Sequence, residues 1–318
     1  MKAAVLNELG RVPQIGNFED PEVKENETLV RVTAAPLKQL DRAIASGTHY
    51  SSPSKLPIVC GTDGVGRTQD GGRVYFMVNR RPFGAMAELA PASWTVPVPS
   101  ELGDDVAAAV VNPAIAAWLP LLWRAHMKPG DNVMVLGATG ASGRMAVRAA
   151  RLLGAGRIVA AGRREDILAS LDVDARINLT LPAHELRAAF AHEVELGVGI
   201  IIDYVWGAAT EMLLALLTKS DLSHDDREDD VRLVALGAMA APTIALPSTT
   251  LRSSRLSILG SGSGNFPPVA QLKAFVADIL SYAARGDIGV DVERKPLEEV
   301  SEVWKESRQD NRRVVFCV

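Results

Sequence analysis

The spacing of apolar positions changes twice along the chain. Before residue 133, short β-like runs such as 28–32 (TLVRV) and 73–78 (RVYFMV) alternate with turns marked by Pro and Gly, among them LPIVCGTDG from Leu56 to Gly64. From residue 133 strands and helices alternate. Val133, Met134, Val135 and Leu136 form an unbroken apolar run, as a strand buried on both faces requires, and Gly137, Gly140 and Gly143 follow at three-residue spacing. Beyond the last glycine, Arg144, Arg148 and Arg151 share one helical face, while Met145, Ala149 and Leu152 share another. Residues 158–161 supply the next apolar strand and close a βαβ unit of about 30 residues. Further strands are expected at 200–205, 233–237 and 256–260, an alternation that predicts an α/β fold with a doubly wound parallel sheet. The tail changes again, with helices predicted at 271–284 and 297–304 and a last strand at 313–318. A lone terminal strand needs an existing sheet edge, so the tail is expected to return to the first domain.

Composition narrows this picture only a little. The chain has 318 residues, 47% hydrophobic and 23% charged, which suits a soluble globular protein long enough for two domains. A net charge of -4, with no basic tract interleaved with aromatics, argues against a nucleic-acid partner. The acidic run at 225–230 reads as a solvated loop. Cys60 and Cys317 lie far apart without metal-ligand spacing, which fits a reducing compartment and a cytoplasmic location. The five histidines form no HxxxH or HExxH pair, so no metal site is read from them. The N-terminal MKAAVLNELG is too short an apolar stretch for a signal peptide. The most apolar region, from Val106 to Trp123, is interrupted by Asn112, Pro113 and Pro120 and is expected to form buried helices joining two domains, not a membrane span.

Strand, glycine turn and amphipathic helix together make a phosphate cradle. The glycines let the backbone turn sharply and approach a diphosphate, whose charge then meets the N–H groups at the helix start. Residues Gly137, Ala138, Thr139, Gly140, Ala141, Ser142 and Gly143 are the expected contacts. NAD-selective folds tend to place an acid at the tip of the second strand, but here the tip reads Gly162-Arg163-Arg164. Two guanidinium groups there match a 2′-phosphate and predict NADPH, with Arg163 the expected contact. The alternative is that they solvate a helix start whose N-terminal acids are Glu165 and Asp166.

The order of parts resembles that of the medium-chain dehydrogenase/reductase superfamily, and within it the zinc-free, quinone oxidoreductase-like branch. The resemblance runs nearly end to end, through MKAAVL, LPIVCGTDGVG, FGAMAELAPAS, KPGDNVMVLGATGASG, LRSSRLSILGSGSG and PLEEVSEVW. It implies a Rossmann nucleotide domain at 112–262 inserted in a β-rich, GroES-like catalytic domain at 1–111 and 263–318. Zinc-dependent relatives carry Gly-His-Glu where this chain reads Gly61-Thr62-Asp63, and a cysteine-rich lobe that it lacks; the resemblance therefore implies metal-free chemistry. It also implies a homodimer joined through edge strands of the nucleotide domain, with 256–259 as the candidate edge.

Residues beyond the strand ends of an open parallel sheet line its ligand crevice, which points to Val205, Trp206, Gly237, Ala238, Met239, Gly260, Ser261 and Gly262. The resemblance places the segments at 237–239 and 260–262 along a nicotinamide, although Met239 also suits gap-filling and Trp206 interface packing. Asn112 lies where relatives approach the nicotinamide, or else caps a helix before Pro113. The stretch LKQLDRAIASGTHY stands where relatives read V-N-P-x-D, then a Ser-Gly turn and an aromatic residue. Asp41 keeps the acid, while Lys38 replaces the usual Asn and Gln39 the usual Pro. Lys38 could steady a developing oxyanion or simply be solvated; His49 or Tyr50 could fill the aromatic position and supply a proton. Tyr75 is a further pocket candidate or a core residue, and Asp41 a catalytic or capping one. The expected function is an NADPH-dependent, zinc-independent oxidoreductase passing hydride to a small-molecule quinone or α,β-unsaturated carbonyl. An enoyl-thioester reductase, and a catalytically silent NADPH-binding sensor or partner subunit, are the alternatives.

Overall fold

A computed structural model of the chain describes residues 1–218, 230–306 and 312–318, so the acidic run at 225–230 lies, except for Asp230, outside the described residues. The chain forms two compact units, Met1–Asn112 with Val269–Val318, and Pro113–Pro268. The first passage through unit 1 contains β1 (Lys2–Leu6), β2 (Gln14–Asn17), β3 (Thr28–Pro36), α1 (Gln39–Ser46), β4 (Ile58–Val59), β5 (Asp63–Thr68), β6 (Arg73–Met77), β7 (Leu89–Ala92) and β8 (Trp94–Pro97), followed by helix α2 (Asp104–Trp118). Unit 2 contains β9 (Asn132–Leu136), α3 (Ala141–Leu152), β10 (Arg157–Gly162), α4 (Glu165–Ser170), β11 (Ala175–Asn178), α5 (Ala183–Glu195), β12 (Ile200–Asp203), α6 (Ala208–Leu217), β13 (Val231–Ala235), α7 (Ser248–Ser253) and β14 (Leu256–Gly260). The return to unit 1 adds α8 (Val269–Ala284), β15 (Val292–Pro296), α9 (Val300–Lys305) and β16 (Arg313–Cys317).

In unit 2 the described residues form a parallel sheet in the order β11-β10-β9-β12-β13-β14. The unbroken apolar runs take its centre: Val133 to Leu136 on β9 and Ile200 to Ile202 on β12 are fully buried, as strands covered on both faces must be. β12 stops at Asp203, two residues short of the predicted strand, because the Asp203 side chain folds the next residues into a turn. A 3₁₀ turn, Ser263–Asn265, stays with unit 2: Asn265 donates to the Gly260 carbonyl (2.9 Å) and accepts from the Gly262 N–H (2.8 Å).

Unit 1 is built on a mostly antiparallel sheet, ordered β15-β16-β3-β5-β6-β8 with β7 also on β3, beside the smaller sheet β2-β1-β4. The terminal strand β16 finds its partner in β3, with Phe316 opposite Ala35, and both are fully buried. The predicted helix at 297–304 is a 3₁₀ turn, Leu297–Glu299, leading into α9.

The apolar stretch after Val106 differs from expectation. α2 runs unbroken through Asn112 and Pro113 to Trp118, then widens into a π-helical turn, Leu119–Arg124. Burial overrides the proline: Ala107, Ala108, Val110, Val111, Ala114 and Ala117 are all fully enclosed. By length and a mean hydropathy of 1.7 the stretch Asp104–Arg124 matches a membrane-crossing helix, yet 72% of that window is buried inside the protein. Pro120 has no N–H to offer the Ala116 carbonyl one turn earlier, and the Tyr204 hydroxyl donates to that carbonyl at 2.6 Å.

Candidate functional site: the strand-end platform and a buried charge cluster

In unit 2 the loops after β9, β12 and β13 join into one platform at the carboxyl ends of the strands. Gly137 turns the chain with φ +86°, and its N–H and that of Ala138 both donate to the Ala161 carbonyl (2.8 and 2.9 Å), which fastens the loop to the end of β10. Gly140 caps α3 and has no side chain with which to accept from the N–H groups of the first turn. Those donors, at the positive end of the helix dipole, suit an anion. A Cβ on Gly143 would stand 2.2 Å from the Gly137 carbonyl oxygen, so only glycine lets the helix start this close to its strand. Thr139 is packed equally tightly on Gly162, where a Cβ would fall 2.5 Å from the threonine methyl. These contacts fit a dinucleotide diphosphate at Gly137 to Gly143. At the tip of β10, Arg163 and Arg164 are both exposed, but Arg164 is paired with Asp166 at 3.1 Å. Among the described residues Arg163 has no ion pair.

Asp203, which sequence reasoning passed over as part of a strand, organises the neighbouring loop. It is fully buried; its Oδ1 accepts from the N–H groups of Val205 (2.7 Å) and Trp206 (2.9 Å), and its Oδ2 from the Thr210 hydroxyl (2.6 Å). The D-x-x-x-x-x-x-T spacing was the only signal in the sequence. Trp206 is thereby held at φ +51°, in the left-handed region. The Leu236 N–H donates to the Asp203 carbonyl (2.8 Å) and the Ala240 N–H to that of Val205 (2.8 Å), and a Cβ on Gly237 would stand 2.7 Å from the Tyr204 carbonyl oxygen. Ser261, after β14, donates to the Ala235 carbonyl at 2.9 Å. Val205, Gly237, Gly260 and Ser261 thus belong to one bonded surface. Ala238, Met239 and Gly262 lie exposed beside it, with Met239 84% accessible, so it fills no core gap.

Unit 1 holds a separate cluster. Lys38 caps α1, its backbone N–H donating to Asp41 Oδ2 at 2.9 Å. Its side chain turns inward, where Nζ donates to Asp63 and to Thr62 Oγ1 (2.7 Å), with Asp41 Oδ1 at 3.7 Å. Asp63 Oδ1 also accepts from the Thr62 hydroxyl (2.7 Å), and its Oδ2 accepts from the Tyr75 hydroxyl (2.7 Å). Lys38, Asp41 and Asp63 are at most 3% exposed. Burial lowers the Lys38 ammonium and raises the Asp41 carboxyl, each opposed by the charge of the other. Burial raises the Tyr75 phenol as well.

The structure therefore brings together Lys38, Asp41 and Tyr75 and adds Thr62 and Asp63. Tyr50 is elsewhere on the surface, 73% exposed, its ring 4.1 Å from that of His49, whose Nδ1 meets Ser51 Oγ at 2.6 Å. Asn112 lies half-buried inside α2 and caps nothing. Among the described residues no three His, Cys, Asp or Glu side chains gather as a metal site would need.

No protein-family profile matches the chain. It is similar to a probable NADPH-dependent quinone reductase of Emericella nidulans, with 29% identity over 351 aligned positions covering 96% of each chain. It is 30% identical to the quinone oxidoreductase of Lama guanicoe over 239 positions, 68% of this chain and 69% of the other. Among solved structures, the quinone oxidoreductase of Thermus thermophilus, determined alone and with NADPH, superposes over the whole of both chains with a TM-score of 0.75 at 26% identity.

Proposed function

This chain belongs to the quinone oxidoreductase-like branch of the medium-chain dehydrogenase/reductase superfamily, and on that footing we propose that it reduces a quinone or an α,β-unsaturated carbonyl with NADPH and without a metal. It is an enzyme, an NADPH-dependent oxidoreductase. The observation that carries the reading is the uncapped start of α3 behind Gly137 to Gly143, with Arg163 at the tip of the next strand in no ion pair among the described residues. NADPH, bound there, supplies the hydride. The loop N–H groups hold its diphosphate, and Arg163 meets the 2′-phosphate as a planar, charge-assisted donor.

Metal independence is supported by Lys38. An ammonium set between Asp63 and Asp41 is a donor only, and it occupies the carboxylates that a cation would otherwise use. The ammonium is buried and its protons face Asp63, Thr62 and Asp41, so the cluster fixes the start of α1 and offers no proton to an acceptor. The Thr62 and Tyr75 hydroxyls are likewise spent on Asp63, so the proton that completes reduction comes from water. Replacing Lys38 within a charge-balanced Lys38→Met/Asp63→Asn pair, and separately Tyr50→Phe, should each leave kcat near that of the wild type; a large loss of kcat in either folded variant would restore a catalytic role to that residue. A homodimer through the open edge of β14 completes the reading, since β14 pairs on one side with β13 and its other side is unpaired among the described residues.

Calorimetric titration with NADPH and NADH tests the central reading. Tight NADPH binding with much weaker NADH binding is expected, and Arg163→Ala should narrow the preference at least tenfold, the loss of about one charge-assisted contact. Failure of both nucleotides to bind would make the loop purely structural. An acceptor panel of quinones, enones and a crotonyl thioester then sorts the electrophile.

A further inference from the structure

The three arginines on one face of α3 meet three different fates. Arg151 pairs with Asp172 (3.5 Å) and Asp174 (3.3 Å) in the loop between α4 and β11, and Arg148 is exposed to water. Arg144 is half-buried, and its Nε is removed from solvent with no hydrogen-bond partner; among the described residues its guanidinium meets no carboxylate. A guanidinium nitrogen drawn out of water without a partner costs stability. Its position adds a second cost. Arg144 closes the first turn of α3, its N–H donating to the Gly140 carbonyl (2.9 Å), and that turn holds no acid, so the charge faces the positive end of the helix dipole. An anion at this end of the helix would offset both costs. Helix geometry gives the direction. Side chains of an α-helix lean toward its N-terminus and cover the preceding turn, so Arg144 overlies Gly140 and Ala141, which offer no bulk to block it. Arg151, seven residues on and on the same face, shows that this face looks toward β10 and β11. At the carboxyl ends of the strands, that side carries Gly162 and the exposed Arg163.

We propose that Arg144 is a phosphate-binding residue of the NADPH site, a second guanidinium working beside Arg163 and the loop N–H groups. The proposal rests on the cofactor reading above and adds a residue that the glycine spacing does not include. Its ligand is a phosphate of the dinucleotide, either the diphosphate on the glycine loop or the 2′-phosphate on the adenosine ribose. An arginine kept for solubility would stand in water, as Arg148 does, and one kept for packing would be paired, as Arg151 is. Arg144 does neither. It destabilises the nucleotide-free protein and becomes favourable on binding, the exchange of stability for function common at binding sites.

The test is calorimetric titration of the full chain with NADPH and with NADH, on the wild type, Arg144→Met and Arg144→Lys, together with the melting temperature of each without nucleotide. Arg144→Met keeps the apolar stem and removes the charge. It should weaken NADPH binding about tenfold, while the nucleotide-free variant melts at or above the wild-type temperature. Arg144→Lys should lose less, since the charge remains and only the planar fork is gone. A loss shared equally by NADPH and NADH assigns the guanidinium to the diphosphate, and a loss confined to NADPH assigns it to the 2′-phosphate; both uphold the inference. Wild-type affinity for both nucleotides in Arg144→Met overturns it. So does a loss of affinity coupled to a lower melting temperature, which would make Arg144 a packing residue. If the wild type binds neither nucleotide, the cofactor reading fails and takes the inference with it.

Discussion

At the scale of single residues, environment decides what a side chain can do. Lys38 stands near the start of a helix, where a lysine is ordinarily solvated, yet its ammonium is buried between two carboxylates. Removing it leaves Asp63 buried without a counter-charge. Lys38→Met should therefore cost about 3–5 kcal/mol in a urea unfolding experiment, and Lys38→Met/Asp63→Asn should recover most of that loss. Unchanged stability in the single variant would show that water reaches the cluster. Cys60 illustrates the same control by burial. Its thiol is pushed up to about 12, chiefly by desolvation and next by the Asp41 carboxylate. Because only the thiolate is nucleophilic, alkylation of the native protein at pH 8 should modify Cys317, which is exposed, and spare Cys60 until the chain unfolds. Two labelled cysteines by mass spectrometry under native conditions would contradict that.

Among elements, α2 and the strand-end loops depend on one another. Pro120 deprives Ala116 of its helical donor, and the Tyr204 hydroxyl, on the loop after β12, supplies the replacement. Burial raises the phenol above its ordinary range, which favours the protonated, donating form. Tyr204→Phe should lower stability by about 1–2 kcal/mol, the cost of an unsatisfied buried carbonyl. Gly137 lies against the Tyr204 Cβ, which the variant keeps, so NADPH affinity should hold. A variant with wild-type melting temperature would mean that water replaces the hydroxyl. The strand that ends early belongs here too. The run IIIDYV reads as six strand residues, but a carboxylate that captures the next two N–H groups competes successfully with the sheet ladder.

For the whole molecule, the open edge of β14 is the feature with consequences beyond one chain. Light scattering should give twice the 34.0 kDa chain mass. Ser257→Lys, placing a long charge on the exposed edge residue, should shift the population to monomer without loss of helix content. A monomeric wild type at micromolar concentration would remove the dimer from the proposed function.

The parallel sheet, the glycine loop and the alternation of strands and helices around them are legible in the amino-acid order alone. These follow from local spacing: an apolar run buried on both faces, a turn that only glycine can make, a helix face repeating every 3.6 residues. The same order carries the likeness to a known family, because that likeness resides in the same local motifs. The fate of the charges and hydroxyls depends instead on contacts between distant parts of the chain. Lys38 finds Asp63 across 25 positions and Tyr204 finds Ala116 across 88, and nothing in either neighbourhood announces the pairing. Pro113 sits inside a helix for the same reason. Burial of the surrounding apolar surface outweighs a lost backbone bond, and how much surface is buried is a property of the packed chain, not of any stretch of it.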